Sequence, residues 1–531
     1  MEKIIVKNTC IIINDYMFGD APRLEYFFSI YDPILHTRRI IGLHYDTDNR
    51  RLYLPRGIDI WWVEEIFQCK AYVEQNMYND YDYYDNIRMK FLPRDEDQTK
   101  ALQFTLGKAP YQATLTKSQL CINLNTGKGK TYVAIGTIAS TGTKSIIITY
   151  AKTVLTQWKK CFLDYTNIQE KAIYEIDGTP SIYRLLTKSP KEIKQIRIFL
   201  CTHGTLKSYG DSHGWDKVTE LFKIIRVGYK FYDEAHTNFS NMLQIDFYTS
   251  VYKSFYLTAT PARSNNEEDK IYQASFKNVL AIDLFHKSDP HTHYIAMRYN
   301  SRPPAYVISN CKGKYGLDRN KYTNYIVTND KFKMMATVVL DFIFRNILKL
   351  PGDKMIIYIG TNQAILEFEK WMKEQFPMFA NTIGVFTSIV SDQQKQMNLS
   401  NKIILTTTKS AGAAIDIKGL KCTLVLAEPF KSEVLARQTL GRTRDDDTYY
   451  IEVVDKGFSY CNKYFLAKRP VFNKYAMDSK LVDFLDLDLE TEYSKVMDMR
   501  MASTDVQPAV VKTKPFTIAS DLTKPFIISV K

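Results

Sequence analysis

Residues 121–131 read Cys121-Ile122-Asn123-Leu124-Asn125-Thr126-Gly127-Lys128-Gly129-Lys130-Thr131, and a helix-forming run from Tyr132 to Ser140 follows. CINL has the texture of a buried strand end, and Asn125 to Thr131 that of a glycine loop. Strand, glycine loop and helix in that order give a phosphate-loop pattern its mechanism. Gly127 and Gly129 let backbone N–H groups approach a phosphate with no Cβ between them, and the following helix N-terminus adds partial positive charge. Lys130 is then placed to reach β/γ-phosphates, and the Thr131 hydroxyl to ligate Mg²⁺. Thr126, Gly127, Lys128, Gly129, Lys130 and Thr131 form the expected nucleotide cradle. The strict pattern GxxxxGK[ST] asks for glycine at 124, where this chain has Leu124.

Further along, an apolar run from Ile224 to Tyr232 leads into Asp233-Glu234-Ala235-His236. In α/β sheets ligands bind outside the carboxyl ends of strands, where this acidic pair falls. Asp233 can hold Mg²⁺ directly or through water; Glu234 can orient and deprotonate an attacking water. Alone, the pair reads equally well as a solvated helix cap. Lys130 upstream favours the catalytic reading, because phosphoryl transfer needs both a cradle and a metal carboxylate.

Around these two segments, apolar runs alternate with helix-length stretches: CINLN, SIIITYA, RIFLCT, KFYDEA and SFYLTA, then KMIIYIG, NKIILTT and KCTLVLAEP. That alternation predicts an α/β protein, with parallel sheets covered by helices on both faces. The pattern lapses around 264–330, where SNNEED, SDPHTH and NSRPPA supply loop chemistry, so two α/β units joined by a connector are expected. Residues 1–90 instead alternate apolar and polar positions in short runs, which predicts a β-rich accessory domain. Near the end, Thr513 to Ile518 and Thr523 to Ile528 echo one another (TKPFTI, TKPFII). Two copies are too few for a solenoid; they read as a tail, either lying on the body or docking on a partner.

At 531 residues the chain has room for three or four folding units at roughly 100–200 residues each. Its 45% hydrophobic and 24% charged content is ordinary for a folded protein. A net charge of +13 favours an anionic partner, nucleic acid or anionic lipid. The eight cysteines contain no CxxC or CxxH pair, so a zinc ribbon is not expected. MEKIIVKNTC lacks a signal-peptide core and no 18-residue apolar run occurs, so a reduced intracellular compartment and no membrane span are expected. The 36 tyrosines, several in YNDYDYY at 78–84, read chiefly as packing groups, with stacking on bases as the alternative.

The ordered motifs resemble those of superfamily 2 helicases and translocases of the DEAH-box type, over about residues 94–447. Gln98, in PRDEDQTKAL, looks like the family's adenine-reading glutamine. Thr153 to Trp158 (TVLTQW) and Thr202 to Leu206 (THGTL) resemble motifs that contact the nucleic-acid backbone. Leu257 to Arg263 matches LTATP, which couples hydrolysis to strand movement, with Thr258 and Thr260 as its hydroxyls and His236 as a coupling residue. Thr406 to Leu420 looks like motif V, in which Gly412 permits close backbone approach and Asp416 lies near nucleotide. Gln438 to Arg444 (QTLGRTR) resembles motif VI, making Arg442 the candidate arginine finger. The family's QxxGRxxR would place its second arginine at 445, but this chain has Asp445, with Arg444 one position early.

The resemblance implies two tandem RecA-like P-loop domains, the β-rich accessory domain and a C-terminal tail. The expected boundaries are 1–90 for the accessory domain, a candidate for DNA recognition, and 91–290 for the ATP-binding domain. A connector at 291–330, a second RecA-like domain at 331–475, and a helical segment with the TKPF tail at 476–531 complete the chain. Within the family the wording leans to nucleotide-excision-repair helicases, phage UvsW-like helicases and their viral relatives. Leu54-Pro55-Arg56-Gly57 is similar to a segment of such viral proteins, or is simply a Pro-Gly turn. The implied activity is ATP- and Mg²⁺-dependent movement on duplex, branched or single-stranded DNA in viral replication, recombination or repair. An RNA helicase or transcript-release factor is the alternative, and a catalytically weak scaffold a third. The implied setting is a monomer in the cytoplasm, of the host if viral, whose tail meets a replication or recombination protein.

Overall fold

The computed structural model describes residues 2–32, 36–74, 81–124, 127–235, 239–258, 266–284, 291–313, 316–411, 417–440 and 447–504. It divides into two compact units, Met1–His286 and Lys287–Lys531.

The first unit carries a seven-stranded parallel sheet. Its order is Ile173–Ile176, Ile198–Thr202, Ser145–Thr149, Tyr229–Tyr232, Lys253–Thr258, Gln119–Leu124 and Leu280–Leu284. The five inner strands are buried along their whole length, as a parallel sheet covered on both faces requires. They are the five apolar runs expected from the sequence. The two edge strands were not anticipated. Leu280–Leu284 alternates exposed and buried positions, so it lacks the continuous apolar signature that marks the centre.

The accessory sheet orders His44–Asp46, Arg51–Pro55, Cys10–Ile13, Ile4–Val6 and Ala71–Val73; the pairings are antiparallel except for the last, Ile4–Val6 with Ala71–Val73. It does not stand apart from the large sheet. One apolar cluster runs from Ile4, Ile11 and Leu54 through Phe247 and Met242 to Ile146 and Tyr256. The helix Phe239–Tyr248 lies between them, with Tyr53 against Tyr248 at 4.9 Å and Phe247 at 6.1 Å. The Ser118 hydroxyl donates to Asn8 O (2.8 Å) and the Asn8 amide to Val251 O (3.1 Å). Gly57, of the LPRG segment, is a close-approach point: a Cβ there would lie 2.2 Å from the Ser275 carbonyl oxygen.

A buried ionic network sits beneath the strand that leads to the acidic pair. Lys230 Nζ lies 2.5 Å from Asp246 Oδ1, and both side chains are essentially inaccessible to solvent. Tyr232 and Tyr256 donate to the two oxygens of Asp246 (2.8 and 2.7 Å), and Gln119 Nε2 donates to the Tyr256 hydroxyl (2.7 Å). Burial holds the Lys230 ammonium below its ordinary pKa, against the pull of Asp246.

The second unit has its own seven-stranded parallel sheet, ordered Ile383–Phe386, Ile403–Thr406, Lys354–Ile359, Leu420–Ala427, Thr448–Asp455, Thr292–Tyr299 and Asp478–Asp483. Two expectations change here. The stretch 291–330, read as a connector, contains Thr292–Tyr299, which pairs on both sides within this sheet; its first two residues, Thr292 and His293, come from the loop-like SDPHTH, and NSRPPA follows it. The sheet also extends past 475, because Asp478–Asp483 forms its edge, and the helix Asp486–Thr504 packs on Asp330–Asn346. The TKPF echo lies outside the described residues. Among the described residues no helix is long and apolar enough to cross a membrane.

Replacing Asp246 leaves Lys230 buried without its counter-charge. Asp246→Ala is expected to cost about 3–5 kcal/mol of unfolding free energy, read as a lowered midpoint in urea denaturation. An unchanged midpoint would show that the network contributes nothing.

Candidate nucleotide site

The glycine loop leaves the strand Gln119–Leu124 and enters the helix Lys130–Thr141. Gly127 (φ +81°) and Gly129 (φ +92°) both take left-handed backbone, which glycine adopts without a Cβ penalty. At Gly129 a Cβ would also stand 2.3 Å from Gln98 Nε2. Gln98 sits in the helix Glu96–Leu106, whose N-cap Asp95 accepts the Gln98 backbone N–H at 2.9 Å. Its side-chain amide donates to Lys128 O (3.0 Å) and accepts the Arg94 N–H (2.9 Å), so it spans segment and loop. Lys128 is half-buried and Thr131, in the first helical turn, is half-buried too.

Lys130 turns back into the protein. Its Nζ lies 3.4 Å from Glu234 Oε1 and donates to Leu124 O at 3.4 Å, with both charged side chains about nine-tenths buried. The structure thus brings together the lysine and the acidic pair, which are a hundred residues apart in sequence. Glu234 has φ +49°, a conformation costly for a non-glycine residue. The turn is held from both sides: Asp233 N–H donates to Ile148 O (3.0 Å) and Ala235 N–H to Leu257 O (2.9 Å). Thr258, at the buried end of Lys253–Thr258, stands in register with Asn123 on the strand that feeds the loop.

Asp233 is buried, and one of its oxygens, Oδ2, accepts the indole N–H of Trp158 at 2.9 Å. Burial first and the neighbouring Glu234 second push its carboxyl up to about 6; the Trp158 N–H and the Lys130 charge pull the other way. This contact was not legible as such. Within TVLTQW, Trp158 lies on the buried face of the helix Lys152–Tyr165, with Val154, Leu155 and Phe162. Its i, i+4 spacing from Val154 to Trp158 to Phe162 was the available signal.

In THGTL, Thr202 caps the helix His203–His213 by accepting the Thr205 N–H (3.1 Å). His203 is fully buried, its ring 5.6 Å from that of Tyr232, and burial lowers its pKa to about 4. Lys152, Lys159 and Lys188 pair with Asp177, Glu170 and Glu192 at 2.5, 2.8 and 3.7 Å, as solvated faces do.

In the second unit, motif V begins where Ile403–Thr406 ends. Glu428, which the sequence reading passed over, is buried after Leu420–Ala427 and accepts the Thr408 backbone N–H at 2.7 Å. Burial raises its carboxyl pKa, and the Thr408 hydrogen bonds oppose this. Gln438 falls in the helix Glu433–Leu440, and its side chain is outside what the structure describes. Thr126, His236, Thr260, Gly412, Asp416, Arg442 and Arg444 lie outside the described residues.

Residues 91–263 match the family model described as the Type III restriction enzyme, res subunit. The "Putative DNA 3'-5' helicase Rad25" of Haloarcula marismortui is 26% identical over 146 residues, 28% of this chain and 20% of that protein. The chain therefore spans about a fifth of the length of the curated relative it matches. Among solved structures, S. cerevisiae Dbp5 bound to RNA and ADP BeF3 superposes with a TM-score of 0.51 at 13% identity, covering 76% of this chain and 93% of that one. The T4 UvsW structure gives a TM-score of 0.33 at 15% identity, covering 91% and 100%. The match over 91–263, the ordered motifs and two parallel sheets, in the first of which the glycine loop and the acidic pair follow strands on either side of Lys253–Thr258, make this chain superfamily 2 helicase-like.

Proposed function

We propose that the chain hydrolyses ATP to move on DNA, duplex or branched, in replication, recombination or repair. The observation that carries the reading is the buried meeting of Lys130 with Glu234, beside Asp233 and the two left-handed glycines. The relative named a DNA helicase and the restriction-enzyme family model support DNA over RNA, and the +13 net charge suits backbone contacts.

The residues present fit a magnesium-bound nucleotide. Gly127 and Gly129 take the left-handed backbone that the loop needs, Lys130 carries the cation, and Asp233 and Thr131 offer oxygen donors of the kind Mg²⁺ takes. When bound there, Mg²⁺ would neutralise charge on the β- and γ-phosphates. The chain's own part begins with an exchange of partners. Lys130 gives up its carboxylate for phosphate oxygens, which releases Glu234 to orient and deprotonate water. Gln98 trades the Lys128 carbonyl for the base. Arg442, with Arg444 as its alternate, is the proposed arginine that neutralises the transferring phosphoryl group, alongside Gln438. Thr258, Thr260, His236, Gly412 and Asp416 are the proposed coupling and nucleotide-sensing positions.

Lys130→Ala is expected to lower ATP turnover at least about 100-fold in chains that keep the circular dichroism of the parent, with a lowered thermal unfolding temperature because Glu234 is left buried without its counter-charge. Retained turnover would exclude this nucleotide site. Asp233 must be ionised to act, and burial with the neighbouring Glu234 pushes its carboxyl up to about 6. Accordingly kcat/KM should be level above that pH and fall as pH drops through it, because protonation removes the carboxylate; a profile flat down to pH 4.5 would contradict the role. Turnover measured on single-stranded, duplex, forked and four-way DNA and on RNA should be highest on a DNA member, with apparent affinity falling linearly on a log–log plot against salt. Preferential stimulation by RNA would replace DNA as the substrate.

A further inference from the structure

An indole has one polar hydrogen, and Trp158, 2% exposed, directs it to Asp233 Oδ2 at 2.9 Å. A side chain serving only to fill this space would need no donor there. The helix that carries it, Lys152–Tyr165, meets the nucleotide site a second time through its C-terminal end. Lys90 N–H donates to Tyr165 O (2.7 Å), Arg88 N–H to Asn167 Oδ1 (2.8 Å), and the Tyr132 hydroxyl to Phe91 O (2.8 Å). This strap continues into Arg94, whose N–H is accepted by Gln98. The helix therefore holds the acidic turn through Trp158 and, at Tyr165, one end of the strap, whose other end Tyr132 of the helix Lys130–Thr141 also holds.

We propose that Trp158 is a positioning residue, whose indole N–H fixes the Asp233 carboxylate in the orientation that receives the metal-bound nucleotide. This rests on the ATPase reading above, in which Asp233 faces the metal. Hydrogen bonds to charged acceptors are the strong ones, and they set the direction as well as the energy of a ligating carboxylate. The rigid two-angle side chain, anchored among Val154, Leu155 and Phe162, supplies a donor whose place does not drift. The same hydrogen bond makes Asp233 sensitive to any displacement of the helix.

The test is calorimetric and needs no turnover. ADP affinity is measured on the full chain in Mg²⁺ and in EDTA for the parent, Trp158→Phe and Asp233→Ala. In the parent, Mg²⁺ tightens ADP binding; Asp233→Ala should abolish that gain. Trp158→Phe should cut the gain by about tenfold and leave the EDTA affinity unchanged. A chain with benzothienylalanine at position 158, an indole isostere with sulfur in place of N–H, should behave like Trp158→Phe and serves if phenylalanine disturbs folding. A full Mg²⁺ gain in either donor-less chain, with the gain lost in Asp233→Ala, overturns the Trp158 proposal alone. A full gain in Asp233→Ala overturns the metal assignment to Asp233, and the site reading with it.

Discussion

A strand buried on both faces can bear charge in two ways: at its end, where the chain turns out of the sheet, or along its length against a counter-charge. The first unit uses both, on two strands that flank Lys253–Thr258. Gln119–Leu124 and Tyr229–Tyr232 are buried throughout, and Lys130 and Glu234 stand just beyond their carboxyl ends. Mutual neutralisation at 3.4 Å lets both groups remain nine-tenths buried. A buried pair is weak evidence for stability, since desolvation offsets the attraction. Its worth here is that the lysine is held close to the loop with a partner it can surrender.

The second way appears four residues upstream of Glu234. Lys230 points into the layer between the large sheet and the helix Phe239–Tyr248, and Asp246 answers it from that helix with two tyrosine hydroxyls in support. The acidic turn thus starts from a strand fixed by a saturated polar network and ends in a left-handed residue, Glu234. Neighbouring strand ends hold the turn by backbone hydrogen bonds, and Trp158 holds the first of its two carboxylates. Rigid support around a strained turn is what preorganised chemistry requires.

Much of this was legible before any coordinates. The inner strands announce themselves as continuous Ile-, Leu- and Phe-rich runs, because both faces of the sheet are covered. The phosphate loop and the acidic pair stand out because their chemistry tolerates few residue types. What was hidden is of two kinds. The strand Thr292–Tyr299 starts within SDPHTH and runs into NSRPPA, whose polar and Pro residues dominate a local reading, and only pairing with Thr448–Asp455 and Asp478–Asp483 reveals it. Trp158 and Glu428 were hidden because a side chain's partner across the fold leaves no mark in its own sequence neighbourhood. Gly57 had two readings from sequence, a viral signature or a turn; its contact with Ser275 gives a third, a place where two backbones meet.

The shared interior of the front sheet and the sheet behind it bears on how this chain can be dissected. Severing it near residue 90 would not yield a minimal engine, because Phe247, Met242 and Leu243 owe part of their cover to the first sixty residues. The fragment would present a sticky apolar face of the kind that drives aggregation. Exchanging the front sheet for that of a relative meets the same obstacle: the graft must bring a matching seam, including the glycine that clears Ser275.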